Sequence, residues 1–265
     1  MEDRKKKEIA HYDKKADSLL REPGTQKWMG DFEGFHPHVL SSYRAFYKLL
    51  AQYCKGKKVL DYGCGNGIHS DFIARHAFEV VGIDLSERSL ELARERMKKE
   101  GLEGKVSFQI MDCEALDFPD NTFDVVVDGG TFSSLDLEKA FGELARVLKP
   151  DGVVVGIETL GHNPVTNLKR KLNKKTGKRT EWATEHIFQM KDLGRAVRYF
   201  KEIEANFFHL FSWSLFPFLQ MPGGRILLRA AEIVEYPFLS LPFLKTYSFK
   251  IVFVFRYPTY EKKAV

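Results

Sequence analysis

One stretch constrains this chain more than any other: an apolar run that stops at three closely spaced glycines, Val59-Leu60-Asp61-Tyr62-Gly63-Cys64-Gly65-Asn66-Gly67. A short apolar run reads as a buried strand, and glycines directly after it let the backbone turn sharply and approach a ligand closely. A helical pattern follows. The amides of its first turn would point back at the glycines, which suits a nucleotide-like ligand. The same alternation recurs downstream. Val80-Val81-Gly82-Ile83-Asp84 is a second strand, and Ser86 caps a helix carrying Leu90, Leu92, Ala93 and Met97. Residues 106–110, 123–127 and 153–157 supply three more strands, with a helix over 137–148 ended by Pro150-Asp151-Gly152. Strands separated by helices predict an α/β fold, a doubly wound and mostly parallel sheet covered on both faces. Two further strands, over 200–210 and 247–256, bring the expected total to seven.

Asp84 closes the second strand about 20 residues after the glycines, where a carboxylate in a strand-helix-strand unit reaches ribose hydroxyls. A dinucleotide fingerprint needs its third glycine at position 68, but that residue is Ile68 and the glycine comes one place early, at Gly67. NAD and FAD are therefore disfavoured.

Taken whole, residues 59–67 resemble the first motif of the class I S-adenosylmethionine-dependent methyltransferases, of the type 11-like kind, and the likeness continues in order along the chain. Val81-Gly82-Ile83-Asp84-Leu85-Ser86 is similar to their second motif. Asp112-Cys113-Glu114-Ala115-Leu116, then Phe118-Pro119-Asp120-Asn121-Thr122-Phe123-Asp124, resembles the end of strand three and the approach to strand four. Ala145-Arg146-Val147-Leu148-Lys149-Pro150-Asp151-Gly152 is similar to the turn before strand five. The resemblance implies S-adenosylmethionine as cofactor and S-adenosylhomocysteine as product. It places Asp61, Gly63, Cys64, Gly65 and Gly67 around the methionine part, Asp84 on the ribose, Leu85 against the adenine, and Asp112 with the Cys113 backbone at the adenine amino group.

Outside that core, Ile9, Tyr12, Ala16 and Leu19 recur at helical spacing, predicting an amphipathic helix from which Tyr12 closes over the cofactor. The expected organisation is one methyltransferase domain over 1–265: a helical lid at 1–55, a cofactor-binding core at 56–160, and substrate-side elaboration with the last strands at 161–265. Residues 169–179 hold seven Lys or Arg, no acid and no apolar periodicity, and are read as an exposed basic excursion. Residues 211–244 form an aromatic, proline-punctuated insertion that suits a lid over a lipophilic acceptor or a peripheral contact with membrane.

Composition narrows the function classes. The net charge of +5 is too small to argue for nucleic acid, and the basic run lacks interleaved aromatics, so RNA methylation is a secondary alternative. Cys54, Cys64 and Cys113 form no C-x-x-C pair, so neither a disulfide framework nor a metal site is expected, and a cytoplasmic setting follows. The charged opening from Met1 to Lys7 leads into no apolar run, so no secretory leader is expected. Strand four runs into Asp128-Gly129-Gly130-Thr131-Phe132 rather than the Asn/Asp-Pro-Pro-Tyr/Phe of base amino-methyltransferases. Candidate bases are His162, just past strand five, and His186, with His36 and His38 before the core. The expected acceptor is a small hydroxylated metabolite, a sugar or a lipid-linked saccharide, methylated on oxygen. A regulator that binds the cofactor without catalysis is the alternative from another class.

Overall fold

The computed structural model describes residues 2–21, 39–175 and 180–259; His36, His38 and residues 176–179 of the basic run lie outside them. Helix α1 (Asp3–Arg21) and α2 (Ser41–Tyr53) precede β1 (Lys58–Tyr62), α3 (Ile68–Ala74), β2 (Glu79–Asp84), α4 (Glu87–Lys99), β3 (Val106–Ile110) and β4 (Phe123–Asp128). Then come α5 (Leu137–Val147), β5 (Leu148–Thr159), α6 (Pro164–Lys175), α7 (Glu181–Glu185), α8 (Met190–Ala196), β6 (Phe200–Phe208), α9 (Gly224–Glu235) and β7 (Lys250–Pro258). All seven strands join one sheet in the order β3-β2-β1-β4-β5-β7-β6. Strands β1 to β5 run parallel, and β7 inserts antiparallel between β5 and β6. The chain order reverses beside β1, which pairs with β2 on one side and β4 on the other. Ligands of open α/β sheets bind at such a switch point, beyond the carboxyl ends of the strands.

The central strands read as unbroken apolar runs because both sheet faces are buried, and alternate residues go to opposite cores. Leu60, Val126, Val154, Phe253 and Phe255 face the core closed by α5, whereas Val59, Val125, Val127, Val155 and Val254 face the one closed by α2 and α3. Each such side chain contributes about 1.5–3 kcal/mol by burial. The helices start where their caps predict: the Ser86 hydroxyl accepts from the Ser89 amide at 3.0 Å, and Asp136 accepts from the Glu138 amide at 3.1 Å.

The basic run is not an excursion as far as Lys175, because its first part continues α6. The Asn163 side chain starts that helix, accepting from the Val165 and Thr166 amides. Arg170 is buried, donating to the Leu160 carbonyl at 2.9 Å and the Asn167 side chain at 2.6 Å. A charged residue can enter the interior when its donors are satisfied in this way, and apolar periodicity alone does not reveal it.

The insertion between β6 and β7 is held by polar groups. Buried Glu235 accepts from the amides of His209, Phe211 and Ser212 and from the Ser212 hydroxyl. The His209 ring, also buried, bridges the hydroxyls of Ser42 on α2 and Ser212, each at 3.0 Å. Burial, together with the charges of Lys250 and Arg44, pushes its pKa down to about 3. The Glu232 carboxylate, 3.8 Å from Nδ1, opposes this but is itself engaged by Arg44 and the Ser41 amide.

Two outcomes follow from this packing. Gly156 lets the Phe253 ring lie across β5, and a Cβ there would stand 2.2 Å from a ring carbon. Phe253 also stacks on Phe255 with centroids 4.5 Å apart, so it has little room to retreat. Gly156→Ala should therefore destabilise by about 1–3 kcal/mol, read as a lower urea midpoint with unchanged slope. His209 stays neutral in the folded protein while its unfolded counterpart takes up a proton below its ordinary value of 6.5. Its contribution to stability is thus complete above pH 6.5 and is lost as pH falls towards about 3. His209→Gln should be less stable than wild type at pH 7.5, with the gap narrowing by about 2 kcal/mol at pH 5. Urea unfolding at the two pH values measures it, and a constant gap would place the acid sensitivity elsewhere.

Candidate functional site at the strand ends

The glycine turn forms the floor of a cleft beyond β1 and β2. Gly63 and Gly65 take φ of +67° and +51°, a region L side chains rarely adopt. They serve different ends. At Gly63 a Cβ would stand 2.4 Å from the Thr131 side chain, so the turn packs directly on the loop after β4; at Gly65 a Cβ would meet nothing within 4 Å, leaving backbone open to a ligand. The Asp84 carboxylate accepts from the Gly65 amide at 3.0 Å and from the Ser86 amide at 2.8 Å, tying β2 to the turn. Burial pushes the Asp84 carboxyl up, and these backbone donors pull against it. Leu85 lies half-buried beside it.

Asp61 is buried beneath the turn and accepts from the Ser70 hydroxyl on α3. Burial raises its pKa to about 7, offset by that hydrogen bond and reinforced by the charge of Asp84. It braces the turn against α3. The thiols of Cys64 and Cys113 are buried and pushed up by that burial, which leaves them unreactive. What Cys113 offers is backbone: its carbonyl accepts from the buried Tyr62 hydroxyl.

The structure brings α1 across this cleft through contacts that sequence reasoning missed. Lys5 Nζ lies 2.6 Å from an Asp112 carboxylate oxygen, and the other Asp112 oxygen accepts from the Glu114 amide at 2.9 Å. Arg4 donates to both Glu114 oxygens, at 2.6 and 2.8 Å, and Lys5 reaches Glu114 as well. Burial raises the Glu114 carboxyl, but hydrogen bonds from Lys5, the Asp136 amide and Arg4 outweigh it and leave it below the usual range. Further along the helix, Asp13 accepts from the Ser86 hydroxyl at 2.6 Å. Tyr12, beside it, is 38% exposed and touches His11 edge-on. The residues at 5, 9, 12, 13 and 16 share one helical face, the only trace of this arrangement in the sequence.

The expected bases have other partners. His162 Nε2 accepts from the Met190 amide at 3.0 Å, fixing the loop after β5 to α8, and burial lowers its pKa. His186 stacks on Trp182 with centroids 3.6 Å apart and bonds the Trp182 carbonyl through Nδ1. A different set gathers at the carboxyl edge of β4 and β5. Asp128 is fully buried; one carboxylate oxygen accepts from the Thr131 amide at 2.9 Å, and the other has no hydrogen-bond partner. Burial and the nearby Glu158 charge push Asp128 well up, with Lys250 opposing. Above the following loop lies His69, against which a Cβ at Gly129 would stand at 2.5 Å. Its Nδ1 is 2.9 Å from the Tyr47 hydroxyl. His69 comes two residues after the last glycine of the turn, a position that could have marked it. Among the described residues no cluster suits a metal ion.

This geometry has relatives. A family model described as a methyltransferase domain matches residues 59–152. The demethylmenaquinone methyltransferase of Bacteroides fragilis is 39% identical over 108 residues, 38% of this chain and 43% of that protein. The match thus spans less than half of the relative. Among solved structures, the [4+2]-cyclase SpnF superposes with a TM-score of 0.59 at 21% identity, covering 95% of this chain and 96% of the other. Geranyl diphosphate methyltransferase, solved with GPP and sinefungin, gives 0.54 at 16% identity over 82% and 77%. The seven-stranded sheet of this chain has the class I methyltransferase fold, and the stretch that matches the methyltransferase-domain model, residues 59–152, carries its first five strands from β1 into β5.

Proposed function

We propose that this protein transfers a methyl group from S-adenosylmethionine to a lipophilic acceptor. The observation that carries the proposal is the Gly65 amide bonded to Asp84 across the β1–β2 carboxyl ends, with open space over Gly65 and α1 clamped above. The residues fit the cofactor. Open backbone at Gly65 admits the chain of the amino acid, Asp84 retains lone pairs for ribose hydroxyls, and Asp112 with the Cys113 backbone stands where an adenine amino group would be met. When bound, the cofactor supplies a methyl group on a positive sulfur, ready for in-line displacement.

The chain's own work is to hold, orient and exclude water. Arg4 and Lys5 close α1 over Asp112 and Glu114, shielding the cleft. Asp128 fixes the turn through the Thr131 amide, and the Thr131 hydroxyl reaches the Tyr62 and Gly63 carbonyls at 3.2 and 3.3 Å. Acceptor-side and cofactor-side loops therefore move as one. Beyond them stands His69, hydrogen-bonded to Tyr47 and stacked near Tyr43, both buried in the core behind it. His69 is the group we place nearest an acceptor proton. A sugar hydroxyl, expected from the sequence, finds no counterpart in the quinone-directed name of the Bacteroides fragilis relative. That name points to a planar, lipophilic acceptor instead.

A second reading has one specific support: the superposition covering nearly all of both chains is with a protein titled a cyclase. The pocket would then hold the cofactor while another reaction proceeds, since fold does not dictate chemistry. Incubation with S-adenosylmethionine and a panel of prenylated phenols separates the two, because only methyl transfer generates S-adenosylhomocysteine. Before that, calorimetric titration with S-adenosylmethionine, S-adenosylhomocysteine and NAD should show saturable binding of the two sulfur compounds and none of NAD. Asp84→Ala should weaken that binding by about 1.5–3 kcal/mol, the range for hydrogen bonds to a charged group. Equal affinity in the variant would remove Asp84 from the cofactor site.

A further inference from the structure

Helix α9 is amphipathic in the wrong sense for a helix lying on a globular core. Ile226, Leu227, Ile233 and Val234 recur on one face at helical spacing, and that face points to solvent: Ile226 is 75% exposed and Ile233 73%. Leu228 and Glu235 point inward instead. The exposed apolar surface continues past the helix through Tyr236 and Phe243, 77% and 67% exposed. Of the 19 large apolar side chains exposed among the described residues, 12 fall between positions 211 and 247. A soluble surface rarely gathers apolar residues so densely without a purpose.

Charge says what covers it. Between 211 and 247 the chain has two carboxylates, and both are turned away from solvent. Glu232 accepts from Arg44 and the Ser41 amide, and Glu235 from His209, Phe211 and Ser212. The cations of the segment are Arg225, Arg229 and Lys245, and the first two stay exposed along one border of the apolar face of α9, Arg229 within 3.7 Å of Glu232. The outer surface is therefore apolar with a cationic border and carries no exposed acid. Anionic lipid headgroups over an acyl layer have the complementary arrangement. An antiparallel pairing of two copies through this face, with the two-fold axis across the helix, would instead set like charges against one another. No described helix is long and apolar enough to cross a membrane, so such a face would lie along the bilayer.

Placement agrees. β6 runs parallel to β5 and β7 runs against it, so the segment between them leaves and re-enters the sheet at the carboxyl edge, the edge that carries the cleft. Asn163, at the start of α6, donates to the Tyr247 carbonyl at 3.1 Å, and α6 adds exposed Val165 and Leu168 nearby. The Glu235 and His209 network ties the segment to Ser42 on α2, whose Tyr47 is hydrogen-bonded to His69.

We propose that residues 211–247 dock the protein on the surface of an anionic lipid bilayer, with the apolar face of α9 in the headgroup layer. The test is co-sedimentation of the full chain with vesicles of phosphatidylcholine alone or mixed with phosphatidylglycerol. Binding should favour the mixed vesicles and weaken with salt. Ile226→Asp combined with Ile233→Asp should lower the partition coefficient about tenfold or more, and Arg225→Gln about fivefold, as for loss of one cation at a charged surface. Both positions are exposed, so circular dichroism and the unfolding midpoint should be unchanged; if the double variant fails to fold, Arg225→Gln carries the test alone. Absence of vesicle binding by wild type, or equal binding by folded variants, would overturn the proposal. So would a concentration-dependent dimer that the aspartates dissolve while the vesicles pellet nothing. None of these readouts involves turnover or cofactor, so failure here is separate from failure of the methyl-transfer proposal.

Discussion

The hydrogen bond from the Gly65 amide to the Asp84 carboxylate joins the ends of two parallel strands, and most of the site depends on it. It exists only because Gly63 and Gly65 take left-handed backbone, which turns the Gly65 amide towards β2. The same Asp84 accepts from the Ser86 amide, and Ser86 both caps α4 and donates to Asp13 on α1. One carboxylate thus sets the turn, the start of a helix and, at one remove, the position of the lid. Asp61 works from below with a different balance. Its burial raises its pKa to about 7, with the Ser70 hydrogen bond pulling it down and the Asp84 charge adding a smaller push upward.

How α1 is held explains why it lies where it does. Ion pairs on an open surface contribute little, but Glu114 has no exposed side-chain surface and takes Arg4, Lys5 and the Asp136 amide together. Removing a partner would strand a buried charge, so the contact specifies position more than it adds stability. Lys5 at the same time engages Asp112, the acid that the proposed function sets at the adenine end of the cofactor. A ligand that hydrogen-bonds Asp112 must share it with Lys5, which couples the lid to occupancy of the cleft.

The core was legible because physics leaves a double mark there. Val125 to Val127 and Val153 to Val155 are buried on both faces, so they read as unbroken apolar runs, and the glycines between strand and helix follow from backbone sterics. Seven strands, the helices among the first five and the place of the glycine turn follow from such marks. The rest depended on distance. Nothing near Lys5 in the sequence points to Asp112, 107 positions away. Arg170 sits in a run of like charge, and only the Leu160 carbonyl and Asn167 explain its burial. His162 was correctly placed after β5, but the Met190 amide that occupies its Nε2 comes from another helix. Asp128 ends β4 and His69 stands in the first turn of α3, yet a lone Asp or His in such a place has many ordinary roles.

The two halves of the molecule meet at Lys250. It ends the insertion and begins β7, pairs in register with Thr159 at the end of β5, and is almost fully buried. Its ammonium lies 5.3 Å from the centre of the Tyr43 ring and acts electrostatically on Asp128 and His209. A buried cation near Asp128 favours its ionisation and disfavours a charge on His209. The position of Lys250 depends on where the insertion enters the sheet. Any force that displaces the insertion, a lipid surface included, would move that charge relative to Asp128, and Asp128 holds Thr131 against the glycine turn. The hydrogen-bonded part of this link runs from Glu235, on the inward side of α9, through His209 to Ser42 on α2.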